Sequence, residues 1–189
     1  MNYYLFCVGM YKAKLTLNVN KIIKRVKNIQ SKDKGRNISN PKGTGWQSNE
    51  LNLKDFIDLQ EHIKPHVIKY MNTISLQGTA RMEAAWANIN SYKDYNEIHA
   101  HGGSQISAVY YLNKPKNSGN LFFENPFKMG MDSCWNGRKK KHNEYTSSRM
   151  TVPVETNDLI LFPGWLAHGV EPNLNKKEDR ISIAANIFI

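Results

Sequence analysis

After Gly78 the apolar residues of this 189-residue chain change period, and that change constrains the fold more than any other feature. RMEAAWANINSY (81–92), SQISAVYYLN (104–113), GNLFFEN (119–125), MTVPVE (150–155), DLILFP (158–163) and RISIAANIFI (180–189) are short β-rich runs bounded by Gly, Pro and Asn. Successive side chains of a strand point to opposite faces, so each run can bury one side against a partner layer. Several such runs in succession, with turn residues between them, predict a sandwich or jelly roll.

Before Gly78 the spacing is helical. Val19, Ile22, Ile23, Val26 and Ile29 recur with lysines between them, which predicts an amphipathic surface helix. Residues 31–49 carry the Gly, Ser, Asn and Pro of a long loop. A second helix is predicted from about Leu53 to Ile74, with Phe56, Ile57, Ile63, Val67, Ile68 and Met71 on its apolar side and Pro65 as a kink or break. The expected architecture is mainly β (α+β): one domain over 1–189, a helical support region at 1–78 and a jelly-roll core at 79–189, with the helices on one face. Residues 127–149 are too polar and irregular for a core strand and read as an insertion.

Composition excludes several classes. A hydrophobic fraction of 40% and an aromatic fraction of 11% are those of a globular protein. No stretch reaches the roughly 18 apolar residues of a membrane span. The apolar N-terminus has no basic segment before it and is interrupted by Lys12 and Lys14, so no secretory signal is expected. Cys7 and Cys134 are far apart and not in CxxC spacing, which fits a reducing cytosol and gives a cytoplasmic expectation. The net charge of +10 raises nucleic acid as a partner. An AT-biased coding sequence would give the same richness in Lys, Asn and Ile, and the charge is spread over several segments, so charge alone does not select that partner.

The chemistry concentrates around YNEIHAHGGSQISAVYYLN (95–113). His99 and His101, at i and i+2, face the same way in an extended segment. His168 follows the run DLILFP in FPGWLAHGVEP, and Arg180 opens the last run twelve positions later. Two neighbouring ligands and a distant histidine, with open coordination positions, suit Fe(II) that must bind a cosubstrate and O2 together. The fork of an arginine suits a carboxylate. A histidine pair alone would be loop polarity; the order of His168 and Arg180 favours a metal. His62, His66 and His142 have no such partners and read as surface residues. Only one of Tyr110 and Tyr111 can face the interior. Trp86, Asn88 and Asn90 share one face, either a polar pocket or an exposed sheet face. Trp165 reads as packing, and GRKKK (137–141) as a solvated loop within an insertion that could close over the site.

The order H-x-H, YYLN, a Gly-led strand, LILFPGWLAHGVEP and R-x-S resembles the Fe(II)- and 2-oxoglutarate-dependent dioxygenases. The resemblance covers roughly 80–189, with a weaker match at GTGWQSNEL (43–51), and lies nearest the prolyl-hydroxylase-like branch and a small oxygenase group of marine bacteria and phages. It implies a double-stranded β-helix, with His99 as the first iron ligand and His168 as the distal one. It further implies Arg180, assisted by Ser182 and Tyr111, as the partners of the far carboxylate of 2-oxoglutarate. The chain departs from the general pattern at His101, where the broader superfamily has Asp or Glu. Three ligand sets follow: His99, His101 and His168; a carboxylate recruited from Glu124; or His101 as first ligand with Gly103 leaving a vacancy, as in iron-dependent halogenases. The implied activity is C–H hydroxylation with release of succinate and CO2. The substrate would be peptidyl (prolyl-type) or a small molecule, with nucleic acid a third candidate carried by charge alone. The alternatives are a 2-oxoglutarate-independent three-histidine cupin dioxygenase and a non-catalytic metal- or ligand-binding jelly roll.

Overall fold

The computed structural model describes residues 6–36 and 45–189. The first five residues, the middle of the expected 31–49 loop and the start of GTGWQSNEL lie outside the described residues. Ten strands form two antiparallel sheets. The strands are β1 (Tyr11–Lys14), β2 (Trp46–Gln47), β3 (Arg81–Asn90), β4 (Asn96–His99), β5 (Ile106–Asn113), β6 (Leu121–Glu124), β7 (Arg149–Val152), β8 (Asp158–Pro163), β9 (His168–Val170) and β10 (Arg180–Phe188). The larger sheet has the order β1-β8-β5-β10-β3-β2 and the smaller the order β4-β9-β6-β7. Without the edge strands β1 and β2, four strands face four, with the chain passing repeatedly between layers. This is the double-stranded β-helix, or jelly roll.

Alternation along the larger sheet divides its side chains between two cores. Ile106, Ala108, Tyr110 and Leu112 of β5 and Ile181, Ile183, Ala185 and Ile187 of β10 face a helical layer. That layer consists of α1 (Val19–Gln30) and α2 (Ile57–Thr73), the latter preceded by a 3-10 turn at Leu53–Phe56. Ile22 and Val26 of α1 and Leu59, Ile63, Val67, Tyr70 and Met71 of α2 complete this core. The opposite face carries Val109, Tyr111, Ile160, Phe162 and Ala184, which pack between the sheets on Leu121 and Phe123.

Several expectations need adjustment. Pro65 lies inside α2, which continues through it. Residues before Gly78 supply two strands as well as the helices, because Tyr11–Lys14 pairs with β8 and Trp46–Gln47 with β3. The insertion contains a short helix, α3 (Lys128–Trp135). Trp165 is 57% exposed and packs in no core; it follows a tight turn at Gly164, where a Cβ would lie 2.2 Å from the Ser104 carbonyl oxygen. His66 is half-buried, its Nδ1 hydrogen-bonded to the Tyr11 hydroxyl at 2.9 Å.

Candidate metal centre

His99 ends β4 and His168 opens β9, and the two are direct partners in the antiparallel register. Cross-strand partners hold their Cβ atoms about 5 Å apart, so the two rings meet without any special loop. His101 lies two residues beyond β4, its backbone N–H donating to the Gly164 carbonyl at 2.8 Å. Ring centroids are 4.4 Å apart for His99 and His168, and 5.1 Å for each with His101. One ring nitrogen from each of the three lies within 4.8 Å of the others, a grouping able to hold a metal ion. Among the described residues, no other group of three or more His, Cys, Asp or Glu comes together in this way.

The Nδ1 atoms are all engaged. That of His99 meets the Glu97 carbonyl at 2.7 Å, that of His168 the Leu166 carbonyl at 2.9 Å, and that of His101 the Asn186 side-chain oxygen at 2.6 Å. Nε2 is thus the nitrogen each ring has left for a further partner. Burial, with His99 nearby, pushes the His168 pKa down to about 3. Burial, again with His99 nearby, also lowers that of His101. Uncharged imidazoles are what a divalent cation requires. Glu124, the alternative carboxylate, lies outside the cluster: Lys128 and Arg149 take up its two oxygens and hold its pKa below the usual range. Gly103, the vacancy of the third ligand set, is exposed and has φ +100°.

The imidazoles open onto a cleft with about 430 Å³ of empty space, part of it continuous with solvent. Trp86, Asn88, Ser107, Ser182 and Ala184 line it, so the asparagine face of β3 forms a pocket wall. Arg180 and Tyr111 are buried beyond the lining, on the same faces of β10 and β5 as Ser182 and Ser107. The register pairs Ser182 with both Asn88 and Tyr111, and Arg180 with Asn90. Arg180 is 1% exposed, and its Nη1 donates to the carbonyls of Ser118 and Glu171. Burial lowers its pKa to about 10, which leaves it charged at neutral pH. Tyr110 faces the helical layer and bonds Asn157, so the interior tyrosine is Tyr111.

Among the described residues, five buried side-chain polar atoms have no hydrogen-bond partner: Arg180 Nη2, the Tyr111 hydroxyl, Asn88 Oδ1, Asn90 Oδ1 and Ser107 Oγ. Leaving such atoms unpaired costs about 1–3 kcal/mol each, more for a charged group. Their gathering on one side of the larger sheet, around a guanidinium with one nitrogen unpaired, fits a small anionic ligand with several acceptor oxygens. Together with the three imidazoles, this donor set suits a divalent metal and a dicarboxylate.

Residues 84–186, more than half of the chain, match the family model described as "Putative 2OG-Fe(II) oxygenase". The chain belongs to this family. It is a 2-oxoglutarate-dependent oxygenase, and Fe(II) and 2-oxoglutarate are the family's metal and cosubstrate. No curated protein matches its sequence. Three solved structures share the fold at low identity. The epimerase SnoN, in complex with Fe3+, alpha ketoglutarate and nogalamycin RO, is 14% identical with a TM-score of 0.68, over 96% of this chain and 79% of that one. HygX from Streptomyces hygroscopicus, with nickel and 2-oxoglutarate bound, is 12% identical with a TM-score of 0.65, over 96% and 83%. A Pseudomonas putida prolyl-4-hydroxylase is 11% identical with a TM-score of 0.61, over 96% and 92%. No helix among the described residues is long and apolar enough to cross a membrane.

Proposed function

We propose that the protein hydroxylates a C–H bond of a peptidyl or small-molecule substrate, with Fe(II) held by His99, His101 and His168. One observation carries this reading: three imidazoles meet and open onto the cleft beyond which a buried, incompletely paired guanidinium lies. When bound, iron and 2-oxoglutarate supply the oxidising chemistry, with succinate and CO2 as by-products.

The chain's own residues bind, orient and exclude water. Arg180 receives the distal carboxylate of the cosubstrate through Nη2, while its bonds to Ser118 and Glu171 keep the guanidinium from turning away. The Tyr111 hydroxyl, which burial pushes up to about 12, stays protonated and donates to the same carboxylate. Ser182 adds a hydroxyl from the next inward position of β10. Val109, Phe162 and Ala184 line the cleft nearer the imidazoles and keep it apolar.

A three-histidine set has one negative charge fewer than a set containing a carboxylate. The dianionic cosubstrate offsets that difference, which couples its binding to the metal. Neighbours of this fold include an epimerase and a carbocyclase as well as prolyl-4-hydroxylases, so reaction type has to be tested separately from the centre. The test is succinate formation from 2-oxoglutarate with and without Fe(II), followed by mass analysis of substrate candidates for a gain of one oxygen atom. Fe(II)-dependent succinate abolished by His168→Ala is expected. Turnover that ignores Fe(II) or survives His168→Ala removes the metal centre. Turnover of a substrate with no oxygen gained removes the hydroxylase reading alone.

A further inference from the structure

Of the three imidazoles, His101 is the one whose orientation is set by a side chain. His99 and His168 each meet the carbonyl two residues before them, at 2.7 Å and 2.9 Å, a contact with backbone adjacent in the chain. His101 lies past the end of β4, and its Nδ1 meets the Oδ1 of Asn186, 85 positions away on β10, at 2.6 Å. Trp86 of β3 stacks on the same ring at 5.3 Å between centroids and 11° between planes. His168 stacks on it at 5.1 Å and 18°.

We infer that Asn186 is a positioning residue that makes His101 a metal ligand by fixing its tautomer, with Trp86 holding the plane of the ring. This rests on the metal-centre reading above. An amide oxygen facing Nδ1 accepts a hydrogen bond, which places the imidazole proton on Nδ1 and leaves the Nε2 lone pair free. Such an acceptor also raises the basicity of the coordinating nitrogen, and loss of one typically weakens metal binding about 10–100-fold. The requirement is sharpest at this position, since His101 lies past the end of its strand and takes its orientation from a side chain. An imidazole protonated on Nε2 cannot ligate through that nitrogen.

Strand geometry explains how one residue reaches the ring. Arg180, Ser182, Ala184 and Asn186 alternate onto the inward face of β10, so the strand that carries the carboxylate partners carries the amide at its far end. The β10–β3 register shifts between Asn186 and Ile187, immediately after the last of these positions.

The test has two readouts, neither of which needs turnover. In metal-free protein, 15N–1H correlation spectra of the imidazoles should show His101 protonated on Nδ1 and bare on Nε2; a proton on Nε2 overturns the inference without any mutation. Co(II) titration followed by visible absorption should give a Kd about 10–100-fold weaker in Asn186→Leu and close to wild type in Asn186→Asp, which keeps the acceptor. Thermal melting of the metal-free variants separates this from misfolding. If His168→Ala loses Co(II) while folded Asn186→Leu keeps both affinity and tautomer, the positioning role fails and the centre stands. If His168→Ala keeps Co(II), the centre itself fails.

Discussion

Arg180 is a cation almost wholly removed from water, with two backbone carbonyls bonded to Nη1, and with Nη2 still unpaired. A charge in that setting suits an incoming anion. Arg180→Leu should therefore weaken 2-oxoglutarate binding by at least about thirtyfold, from the low end of the 2–5 kcal/mol that breaking a buried charge pair costs; isothermal titration with the metal-loaded protein measures it. Unchanged affinity would place the dicarboxylate elsewhere. His168 allows a second prediction. Its folded pKa of about 3 lies below the ordinary 6.5, so the unfolded chain takes up a proton in that window and the native state does not. The contribution is complete above about pH 6.5 and is lost as pH falls toward 3, amounting to about 2 kcal/mol by pH 5. Urea midpoints of metal-free protein at pH 7 and pH 5 should diverge more for wild type than for His168→Leu. Equal divergence would show that the ring titrates normally.

At the scale of elements, the helices stabilise the sheet whose other face bears the site. Leu59 of α2 is 1% exposed in the helix–sheet core, whereas Ile68 of the same helix is 49% exposed. Leu59→Ala should cost about 2–5 kcal/mol and Ile68→Ala less than about 0.5, read from denaturant midpoints. Similar losses at both sites would mean that α2 does not pack on the sheet through the Leu59 face. Helices α1 and α2 and the strands β3, β5, β8 and β10 were legible in the sequence because each has enough residues for its period to register. The short β6 and β7 were legible because β-favouring residues stand between turn signals. The strands β4 and β9, NEIH and HGV, were not: four and three residues, mostly polar or glycine, give no alternation. Yet their pairing brings His99 and His168 together, so the triad could be proposed only from motif order. The roles of Trp86 and Asn186 at His101 were missed for a similar reason, since both depend on contacts between strands distant in the chain. The one signal available was a single amide in the apolar run ISIAANIFI. Trp165 misled because aromatic side chains usually pack, and a tight turn holds this one outward.

For the molecule as a whole, a ligand that binds only the native state stabilises it by mass action. Mn(II) at about a hundred times its Kd should add about 2.7 kcal/mol, a rise of roughly 5–10 °C in Tm for a chain of this size. If the metal and the dicarboxylate share one cleft, 2-oxoglutarate should raise Tm further after Mn(II) and much less without it, as differential scanning fluorimetry would show. Equal shifts in either order would separate the two sites. The larger sheet also bears on how this molecule can change over time. Along β3, β5 and β10, positions that maintain the scaffold alternate with positions that face the cleft, so a point substitution disturbs one set and spares the other. Insertion or deletion of a single residue within any of these strands exchanges the two sets beyond that point, turning arginine and asparagine toward the helices and isoleucine toward the metal. Descendants of this chain can therefore acquire new substrates by swapping side chains on one surface or by lengthening loops. A frame shift within its central strands is open to them only where a bulge absorbs the extra residue, as the register shifts between β10 and its two neighbours do.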